Sequence, residues 1–265
     1  MKVGIVGCAG RMGRMLTAAT LETEGAELIG GTEAPGNPQI GADMAVLAGL
    51  AAGGPSVSDD PQALFAAADV VIDFTAPAAT LAHAAFARDA GTAMVVGTTG
   101  LSSDDMARLA DAGQDIAIVQ AGNMSLGVNL MLGLAKQVAA ALGTDYDIEV
   151  VEMHHRHKVD APSGTALMLG RAAAEGRGID HDAEAVMSRE GQTGARPEGA
   201  IGYATLRGGD VIGDHAVVFA GPGERIELAH KATSRDLFAR GALTAALWTE
   251  GRPAGLYTMR DVLGL

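Results

Sequence analysis

The sequence predicts an α/β protein with a doubly wound parallel sheet, followed by a mixed α+β unit. Three observations predict this class of fold. Short apolar strands alternate with helices of about a dozen residues through the first half of the chain. A glycine-rich turn directly follows the first strand. Near Asn123 the pattern changes to a long apolar helix followed mainly by strands, which is typical of an α+β unit.

The predicted elements of the first half justify the parallel sheet. In chain order they are the strand "KVGIV", the helix "RMGRMLTAATLE", the strand "GAELIGGTE", a Gly- and Pro-rich stretch over residues 34–61, the strand "ADVVIDF", the helix "AATLAHAAFARDA", the strand "TAMVVG", the helix "SSDDMARLADAG" and the strand "DIAIV". Such apolar strands are typical of a sheet covered on both faces. Ser102 is predicted to start a helix, because Asp104 and Asp105 follow it and acidic side chains favour a helix N-terminus.

The second half has fewer helices and longer strands. In chain order its predicted elements are the helix "MSLGVNLMLGLAKQVAAAL", the strand "YDIEVVEMHH", the helix "SGTALMLGRAAAEG", a polar and loop-like stretch over residues 177–200, the strands "GYATLRG", "DVIGDHAVVFA" and "ERIELAHKA", and the helix "RDLFARGALTAALWTE". A helix followed by several strands predicts a more open sheet than that of the first half.

Composition limits the classes of function. The chain has 265 residues, of which 48% are hydrophobic but only 3% aromatic, so its core must consist largely of aliphatic side chains. Its net charge of -13 argues against nonspecific binding to nucleic acid or anionic membranes, which requires clustered Lys and Arg. No apolar run is long enough to span a bilayer, and the first residues lack the sections of a signal peptide. The lone Cys8 excludes an intrachain disulfide, so a soluble cytoplasmic protein is expected.

The turn after the first strand, "GIVGCAGRMGR", predicts a dinucleotide-binding site. Gly7, Gly10 and Gly13 allow a sharp turn and let backbone N–H groups approach a pyrophosphate at the start of a helix. For the motif alone, a Gly-rich turn without a ligand is the alternative. Glu33 favours cofactor binding, because it lies 20 residues after Gly13 at the end of the second strand. A carboxylate at that point accepts hydrogen bonds from the adenosine ribose.

Residue 34 bears on the choice between NADH and NADPH. Proteins that select the 2′-phosphorylated cofactor usually place an arginine after the acidic residue, and here Ala34 occupies that position. Only Arg11 in the glycine turn could substitute for it. We therefore expect NADH to be preferred, with NADPH still possible. Cys8 in the same turn is expected to be a small packing residue, because nothing nearby would resolve a sulfenic acid.

Three loops of small and polar residues each follow an apolar strand. They are "DFTAP" (73–77), "GTTG" (97–100) and "AGNMS" (121–125). Each one taken alone is best interpreted as an ordinary loop. In an open α/β sheet, however, ligands bind beyond the carboxyl ends of the strands. Three such loops at equivalent positions therefore favour a cleft along the nicotinamide half of the cofactor.

A basic cluster, "HHRHK" (residues 154–158), is unusual in so acidic a chain. It follows a strand in which His154 shares a face with Glu152 while His155 points the opposite way. The chain would have to bend to bring His154 near Lys158. A solvated basic loop is one interpretation. A zinc site is another, although zinc requires converging side chains and no Cys ligand is at hand.

Anion recognition combined with acid catalysis is the preferred interpretation of this cluster. Like charges close together depress one another's pKa values, so a lysine or histidine here is expected to give up a proton near neutrality. The segment "PSGTAL" strengthens this interpretation, because Ser163, Gly164 and Thr165 would open a helix and offer hydroxyl and N–H groups to a carboxylate. The predicted ligand is a small-molecule dicarboxylate.

These segments together resemble the bacterial dihydrodipicolinate reductase family, also called 4-hydroxy-tetrahydrodipicolinate reductase. The resemblance rests on "GCAGRMGR", "DFT", "GTTG", "NMSLGVN" and above all "EMHHRHKVDAPSGTAL", and it extends through "SREGQTGAR", "GDVIGDHAVVFAGPGERIELAHKATSR" and "GLYTMRDVL". It implies a Rossmann-type dinucleotide-binding domain over residues 1–125 and 235–265. It also implies an inserted α+β domain over residues 126–234 for substrate binding and oligomerisation. A homotetramer is implied by the family alone.

The resemblance implies roles for particular residues. His154 and Lys158 resemble the catalytic pair, acting as proton donors or charge stabilisers. His155, Gly164 and Thr165 resemble the substrate-binding residues. The residues that match the cofactor contacts are Gly7, Cys8, Ala9, Gly10, Arg11, Met12, Glu33, Gly97, Thr98, Thr99, Ala121, Gly122, Asn123 and Met124. Ala34 departs from members with an arginine there, which affects the expectation for NADPH and not the reaction.

The implied reaction reduces a cyclic, conjugated imine with two carboxylates to tetrahydrodipicolinate, in the diaminopimelate route to lysine. Hydride from the nicotinamide enters a ring carbon, and negative charge develops toward the ring nitrogen. Lys158 would stabilise this charge while His154 acts as general acid. Two rival hypotheses remain at this point. One is another NAD-dependent dehydrogenase on the same architecture, and the other is a noncatalytic NADH-sensing module whose basic cluster contacts an acidic partner protein.

Overall fold

The computed structural model describes all 265 residues, and the chain forms two compact units. The first unit comprises residues 1–125 and 236–264, and the second comprises residues 126–235 with Leu265. The second unit is therefore an insertion in the first along the chain, and each unit has its own sheet. No helix combines the length and apolar character that crossing a membrane requires.

Strands and helices follow one another through both units. In chain order they are β1 (Lys2–Val6), α1 (Arg11–Glu22), β2 (Glu27–Thr32), α2 (Met44–Leu47), β3 (Val57–Ser58), α3 (Pro61–Ala67), β4 (Val70–Asp73), α4 (Pro77–Ala90), β5 (Ala93–Val96), α5 (Ser103–Ala112), β6 (Ala117–Gln120), α6 (Leu126–Ala141), β7 (Asp147–His154), α7 (Gly164–Arg177), α8 (His181–Glu184), β8 (Ala185–Val186), β9 (Ile201–Arg207), β10 (Gly213–Gly221), β11 (Glu224–Ala232), α9 (Asp236–Trp248), β12 (Gly255–Tyr257) and α10 (Met259–Leu263).

The first unit is a seven-stranded parallel sheet with the order β12-β6-β5-β4-β1-β2-β3. The strand order reverses between β1 and β4, which is the switch point of a doubly wound fold. The strands are buried and rich in Val and Ile because helices cover both faces of such a sheet. Ser102 starts α5 as predicted, since its hydroxyl accepts a hydrogen bond from Asp105 N and the Asp105 carboxylate accepts one from Ser102 N.

The second unit is a five-stranded mixed sheet with the order β11-β10-β7-β9-β8. β7 is parallel to β9 and antiparallel to β10. Its residues alternate strictly between buried and half-buried, and Ile148 and Val150 on the buried side join a core with α6 and α7. The opposite face of the sheet carries half-buried apolar side chains such as Val151, Met153 and Val218.

Short elements lie in two stretches that the sequence predicted to be irregular. Residues 34–61 contain α2 and β3, and residues 177–200 contain α8 and β8. The Asp43 carboxylate organises the first stretch, because it accepts hydrogen bonds from the backbone N–H groups of Ala45, Val46, Gly53 and Gly54. Two-residue strands and one-turn helices are too short for a periodic pattern to reveal them. The same limit applies to β12 and α10, which the pattern also did not predict.

Candidate active site

The glycine turn joins β1 to α1 at the carboxyl end of β1. Gly7 has a φ of +68°, a left-handed conformation that residues with side chains rarely adopt. A Cβ atom on Gly13 would lie 2.3 Å from the Gly7 carbonyl oxygen and 2.5 Å from Cys8 Cα. Glycine at position 13 is therefore what lets α1 approach the turn so closely.

The start of α1 is open to an anion. Gly10 is its N-cap and supplies no side-chain hydrogen bond, and no acidic residue lies in the first turn. The first N–H groups of a helix lack intrahelical partners and form the positive end of its dipole. Beside the turn, Glu33 Oε1 accepts a hydrogen bond from Ala9 N at 2.7 Å, and Oε2 accepts one from Asn37 Nδ2 at 3.0 Å. These features fit a dinucleotide, with the pyrophosphate at the helix start and the ribose beside Glu33.

The other predicted cofactor residues differ in exposure. The side chains of Cys8, Thr98 and Met124 are buried, so a cofactor would meet their backbone atoms and not their side chains. Burial, and to a lesser extent the Glu33 charge, raises the pKa of the Cys8 thiol to about 12, which suits a packing residue. Of the remaining residues, Gly97 and Ala121 are buried, Gly7, Ala9, Met12 and Asn123 are half-buried, and Arg11, Thr99 and Gly122 are exposed.

A buried network that sequence reasoning missed connects the loops after β4 and β5. Asp73 is fully buried, and its Oδ1 accepts hydrogen bonds from Thr75 N at 2.9 Å and from Thr98 Oγ1 at 3.2 Å. Its Oδ2 lies 2.8 Å from His83 Nδ1. Thr98 also accepts a hydrogen bond from Thr80 Oγ1 at 2.8 Å, so its hydroxyl belongs to the interior. The available signal was a charged residue at the end of the apolar strand "VVID".

The basic cluster begins at the end of β7, where residues alternate between the interior and the other face. Glu152 and His154 point inward and are 1% and 8% exposed, whereas His155 is half-buried and the next two residues are exposed. The chain then bends, and Lys158 N donates a hydrogen bond to the His155 carbonyl oxygen at 3.1 Å. Through this bend the Lys158 charge acts on His154, as the sequence interpretation required.

Glu152 is the centre of the interior network, and the sequence analysis assigned it no role. Its Oε2 accepts hydrogen bonds from His154 Nδ1 at 2.5 Å and Arg207 Nη1 at 2.8 Å. Its Oε1 accepts hydrogen bonds from Arg207 Nη2 at 2.9 Å and Ser163 N at 3.1 Å. Burial is the largest influence and acts to raise the pKa of Glu152. The hydrogen bonds and charges of Arg207 and His154 together outweigh it and hold this pKa below its ordinary value.

The His154 imidazole has one nitrogen engaged and a lowered pKa. Because an ionised carboxylate only accepts hydrogen bonds, Nδ1 must carry the proton that Glu152 accepts, and Nε2 carries no proton in the neutral imidazole. Burial lowers the pKa of His154, the charges of Lys158 and Arg207 lower it further, and Glu152 opposes them. The direction agrees with the prediction. The largest cause is burial and not the repulsion between like charges that the sequence emphasised.

Ser163 caps α7, but its polar groups have partners within the unit. Its hydroxyl accepts a hydrogen bond from Ala166 N at 3.1 Å and lies 2.9 Å from His215 Nε2. Its N–H donates to Glu152. The expectation that Ser163 offers these groups to a carboxylate is therefore wrong, because the polar atoms of a buried N-cap are used to satisfy the helix start and the adjacent strand.

Gly164 and Thr165 remain the candidates for binding a carboxylate at the start of α7. A Cβ atom on Gly164 would meet nothing within 4 Å, and no acidic residue lies in the first turn. Behind this turn, burial and then the nearby His154 lower the pKa of His215 to about 4, so His215 is neutral at neutral pH. A neutral imidazole supports the helix start without adding charge to it.

Lys158 lies at the edge of the network. Its Nζ is 2.9 Å from Asp160 Oδ2, and its side chain is 20% exposed. The Asp160 carbonyl oxygen accepts a hydrogen bond from Arg207 Nη2 at 2.6 Å, which ties the loop that carries Lys158 to the Glu152–Arg207 pair. His155 Nε2 lies 3.4 Å from Arg235 Nη2. The histidines do not converge with other ligands, since no group of three or more His, Cys, Asp or Glu could hold a metal ion.

The parallel sheet and the glycine turn of the first unit define the class of protein, a Rossmann-type reductase that binds a pyridine nucleotide. Family models make the assignment specific. A model described as "Dihydrodipicolinate reductase, N-terminus" matches residues 1–124, and one described as "Dihydrodipicolinate reductase, C-terminus" matches residues 127–263. The chain belongs to the dihydrodipicolinate reductase family.

Individual relatives agree with the family. A protein of Rhodopseudomonas palustris (strain HaA2) named 4-hydroxy-tetrahydrodipicolinate reductase is 56% identical over 265 residues, covering 100% of this chain and 98% of that protein. A protein of the same name from Ruegeria sp. (strain TM1040) is 56% identical over 266 residues, covering 100% and 99%. A solved structure of a dipicolinate-bound dihydrodipicolinate reductase from Paenisporosarcina sp. TG-14 is 25% identical, with a TM-score of 0.78 and 98% of each chain covered.

Proposed function

We propose that this chain catalyses the nicotinamide-dependent reduction of a cyclic imine dicarboxylate, the reaction for which its relatives are named 4-hydroxy-tetrahydrodipicolinate reductase. The observation that carries the proposal is the network around Glu152. It holds the His154 imidazole, the loop of Lys158 and the start of α7 within one set of hydrogen bonds. An acid, a cation and a helix N-terminus suit a doubly charged anion that must also receive a proton.

The start of α7 is proposed to bind one carboxylate of the substrate. Gly164 and Thr165 present backbone N–H groups at the positive end of a helix of 14 residues. The glycine brings no side chain that would keep an anion away. His155 is proposed as a further substrate contact, in accordance with the family resemblance.

The proton chemistry is assigned to Lys158 and His154. A bound nicotinamide cofactor supplies the hydride, which adds to a ring carbon and drives negative charge toward the ring nitrogen. The Lys158 ammonium stabilises that charge more strongly in the transition state than in the ground state. His154 donates a proton from Nε2 to complete the reduction. Its lowered pKa makes the imidazolium a ready donor, and a dianionic ligand beside it favours the protonated form.

NADH is the proposed preferred cofactor, with NADPH also accepted. Glu33 lies next to the glycine turn, where a carboxylate suits a ribose diol and repels a 2′-phosphate. Ala34 is exposed and offers no cation for that phosphate. Arg11 is exposed at the start of α1 and is the residue that would permit NADPH use.

The test is oxidation of NADH and NADPH by the purified protein, with the substrate made in place from pyruvate and aspartate semialdehyde by the preceding synthase. We expect rapid oxidation that depends on the synthase, and a higher kcat/KM for NADH. Cofactor binding without oxidation would contradict the proposed reaction. Similar kcat/KM values for the two cofactors would contradict the proposed preference alone.

A planar pyridine dicarboxylate separates this function from that of other dehydrogenases with the same architecture. The Paenisporosarcina relative is described as bound to dipicolinate. We expect dipicolinate to inhibit this chain in competition with the imine substrate, because it is a planar ring with two carboxylates. An amino-acid or sugar dehydrogenase would not be inhibited in this way.

The open face of the second sheet is proposed to join copies of this chain into a homotetramer. This face is defined by Val151, Met153, Leu206 and Val218, and Leu206 is 51% exposed. A half-covered apolar sheet face is typical of a subunit interface. Light scattering should give four times the chain mass of 26.8 kDa. Val218→Lys should lower it, and a monomeric wild type would contradict the proposal.

A further inference from the structure

The Glu152 carboxylate connects three structural elements that are separate along the chain. Both oxygens accept two hydrogen bonds each, and the donors lie on β7, on β9 and at the start of α7. The residue is only 1% exposed. A buried carboxylate with all its hydrogen-bond partners in place is rigid, so it fixes the positions of the groups that donate to it.

The first group that Glu152 holds is the imidazole of His154. The hydrogen bond to Nδ1 fixes both the rotation of the ring and the nitrogen that carries the proton. The other nitrogen, Nε2, lies against the backbone of β10, where a Cβ atom on Gly213 would be 3.0 Å away. Glycine at position 213 therefore leaves room at the nitrogen from which a proton would leave.

The second and third groups are the helix start and the loop of Lys158. Ser163 N donates to Glu152 Oε1, so the first turn of α7 is tied to the same carboxylate as the imidazole. Arg207 pairs with both Glu152 oxygens and also donates to the Asp160 carbonyl oxygen. The carboxylate and the guanidinium thus set the distances among the acid, the anion-binding turn and the cation.

We propose that Glu152, held by Arg207, is a positioning residue that presents Nε2 of His154 to the substrate and aligns it with the start of α7. The inference rests on the proposed function. Glu152 acts through His154 and Ser163 and touches no reacting atom. The ionisable groups that face His154 are Glu152 on its own strand, Arg207 on β9, His215 on β10, and Lys158 in the loop after β7.

Two substitutions should act on His154 in opposite directions. Glu152→Gln keeps the shape and removes the negative charge, so the pKa of His154 should fall by about one unit. Arg207→Met removes a positive charge and leaves the carboxylate in place, so the pKa of His154 should rise by about one unit. Both variants should lower kcat about tenfold or more, with KM for NADH unchanged. A purely structural ion pair would leave kcat of the folded variants unchanged.

The same strand offers a matched control. Glu149 also accepts two hydrogen bonds from one guanidinium, that of Arg189, at 2.8 and 2.9 Å, but it points to the other face of the sheet. Burial is the largest influence and acts to raise the pKa of Glu149, but the hydrogen bonds and charges of Arg189 and Arg196 together outweigh it and hold this pKa below its ordinary value. Glu149→Gln should leave the pKa of His154 and the pH profile of kcat/KM unchanged.

The measurement is the pH profile of kcat/KM together with a titration of His154 by NMR on ring-labelled protein. Opposite shifts in Glu152→Gln and Arg207→Met, with none in Glu149→Gln, are the expected result. Shifts of the same sign, or no shift, would overturn the inference. If Glu152→Gln fails to fold, the sign of the shift in Arg207→Met decides. The NMR titration needs no turnover, so a wild type without reductase activity would contradict the proposed function and leave this comparison measurable.

Discussion

Each unit buries a carboxylate at or near the end of a strand, and each pairs it with a histidine in a different setting. Asp73 at the end of β4 has His83 as a partner, and its other hydrogen bonds come from Thr75 and Thr98. Glu152 on β7 has His154 as a partner and, in addition, the guanidinium of Arg207 on both oxygens. Asp73 therefore has only neutral donors and a histidine as partners, whereas Glu152 has a histidine and a permanently charged guanidinium.

This difference makes the Asp73–His83 pair suited to a structural role and the Glu152–His154 pair suited to proton transfer. Arg207 neutralises Glu152 permanently, so the second unit stays balanced when His154 gains or loses a proton. Around Asp73, His83 is the only partner that can become a cation, and the hydroxyl groups of Thr75 and Thr98 can only donate hydrogen bonds to the carboxylate. We therefore expect the Asp73 network to hold the loops after β4 and β5 in place, and the Glu152 network to set the pKa and the orientation of the His154 imidazole.

The largest expected effect is the loss of stability in Asp73→Ala. The substitution leaves His83, Thr75 and Thr98 without their shared acceptor, and each buried donor left without a partner costs about 1–3 kcal/mol. The free energy of unfolding from urea titration measures it. Asp111→Ala is the control, because Asp111 pairs with Arg88 while 67% exposed, and its loss should cost less than about 1 kcal/mol. Equal small losses would show that Asp73 is not held as described.

The next effect is catalytic and tests the role of the second unit. Lys158→Ala should lower kcat about a hundredfold or more, because a positioned cation and proton donor is removed. The dissociation constant of NADH, measured by fluorescence titration, should stay the same. Lys136→Ala is the control, since Lys136 pairs with Glu175 on the surface of the same unit. If cofactor affinity collapses and kcat survives, the assignment of Lys158 is wrong.

The pH dependence of stability tests the histidine behind the helix start. The pKa of His215 is about 4 in the folded protein against 6.5 for the unperturbed side chain. Below pH 6.5 the unfolded chain therefore binds the extra proton first, and stability falls until about pH 4, by roughly 3–4 kcal/mol at most from this residue. His215→Asn should reduce the slope of the unfolding free energy over this range. Equal slopes in the wild type and in His215→Asn would refute the effect.

The smallest effect concerns the choice of cofactor in the first unit. Ala34→Arg should raise the ratio of kcat/KM for NADPH to that for NADH about tenfold, because an exposed charge next to Glu33 can pair with a 2′-phosphate. Ala51→Arg adds the same charge at another exposed position of this unit and should not change the ratio. A ratio that responds to both substitutions would indicate a general charge effect instead of a local contact.

Local sequence signals were sufficient for several parts of the molecule. The period of apolar residues predicted the long helices and strands, and the glycines at positions 7, 10 and 13 predicted the sharp turn between β1 and α1. The alternation along β7 placed Glu152 and His154 on one face, because side chains of a strand point alternately to opposite faces. The short strands β3 and β8 in residues 34–61 and 177–200 were missed, since their pairing with β2 and β9 defines them.

By itself the sequence determined the class of fold, the position of the glycine turn and the chemical types present in the basic cluster, since these depend on neighbours a few residues apart. Only the tertiary structure decided which polar atoms are paired. Arg207 lies 55 residues from Glu152, and His215 lies 52 residues from Ser163. Such partners meet because β9 and β10 lie on either side of β7. The burial that this packing produces is the largest cause of the lowered pKa of His154, and no local pattern reports it.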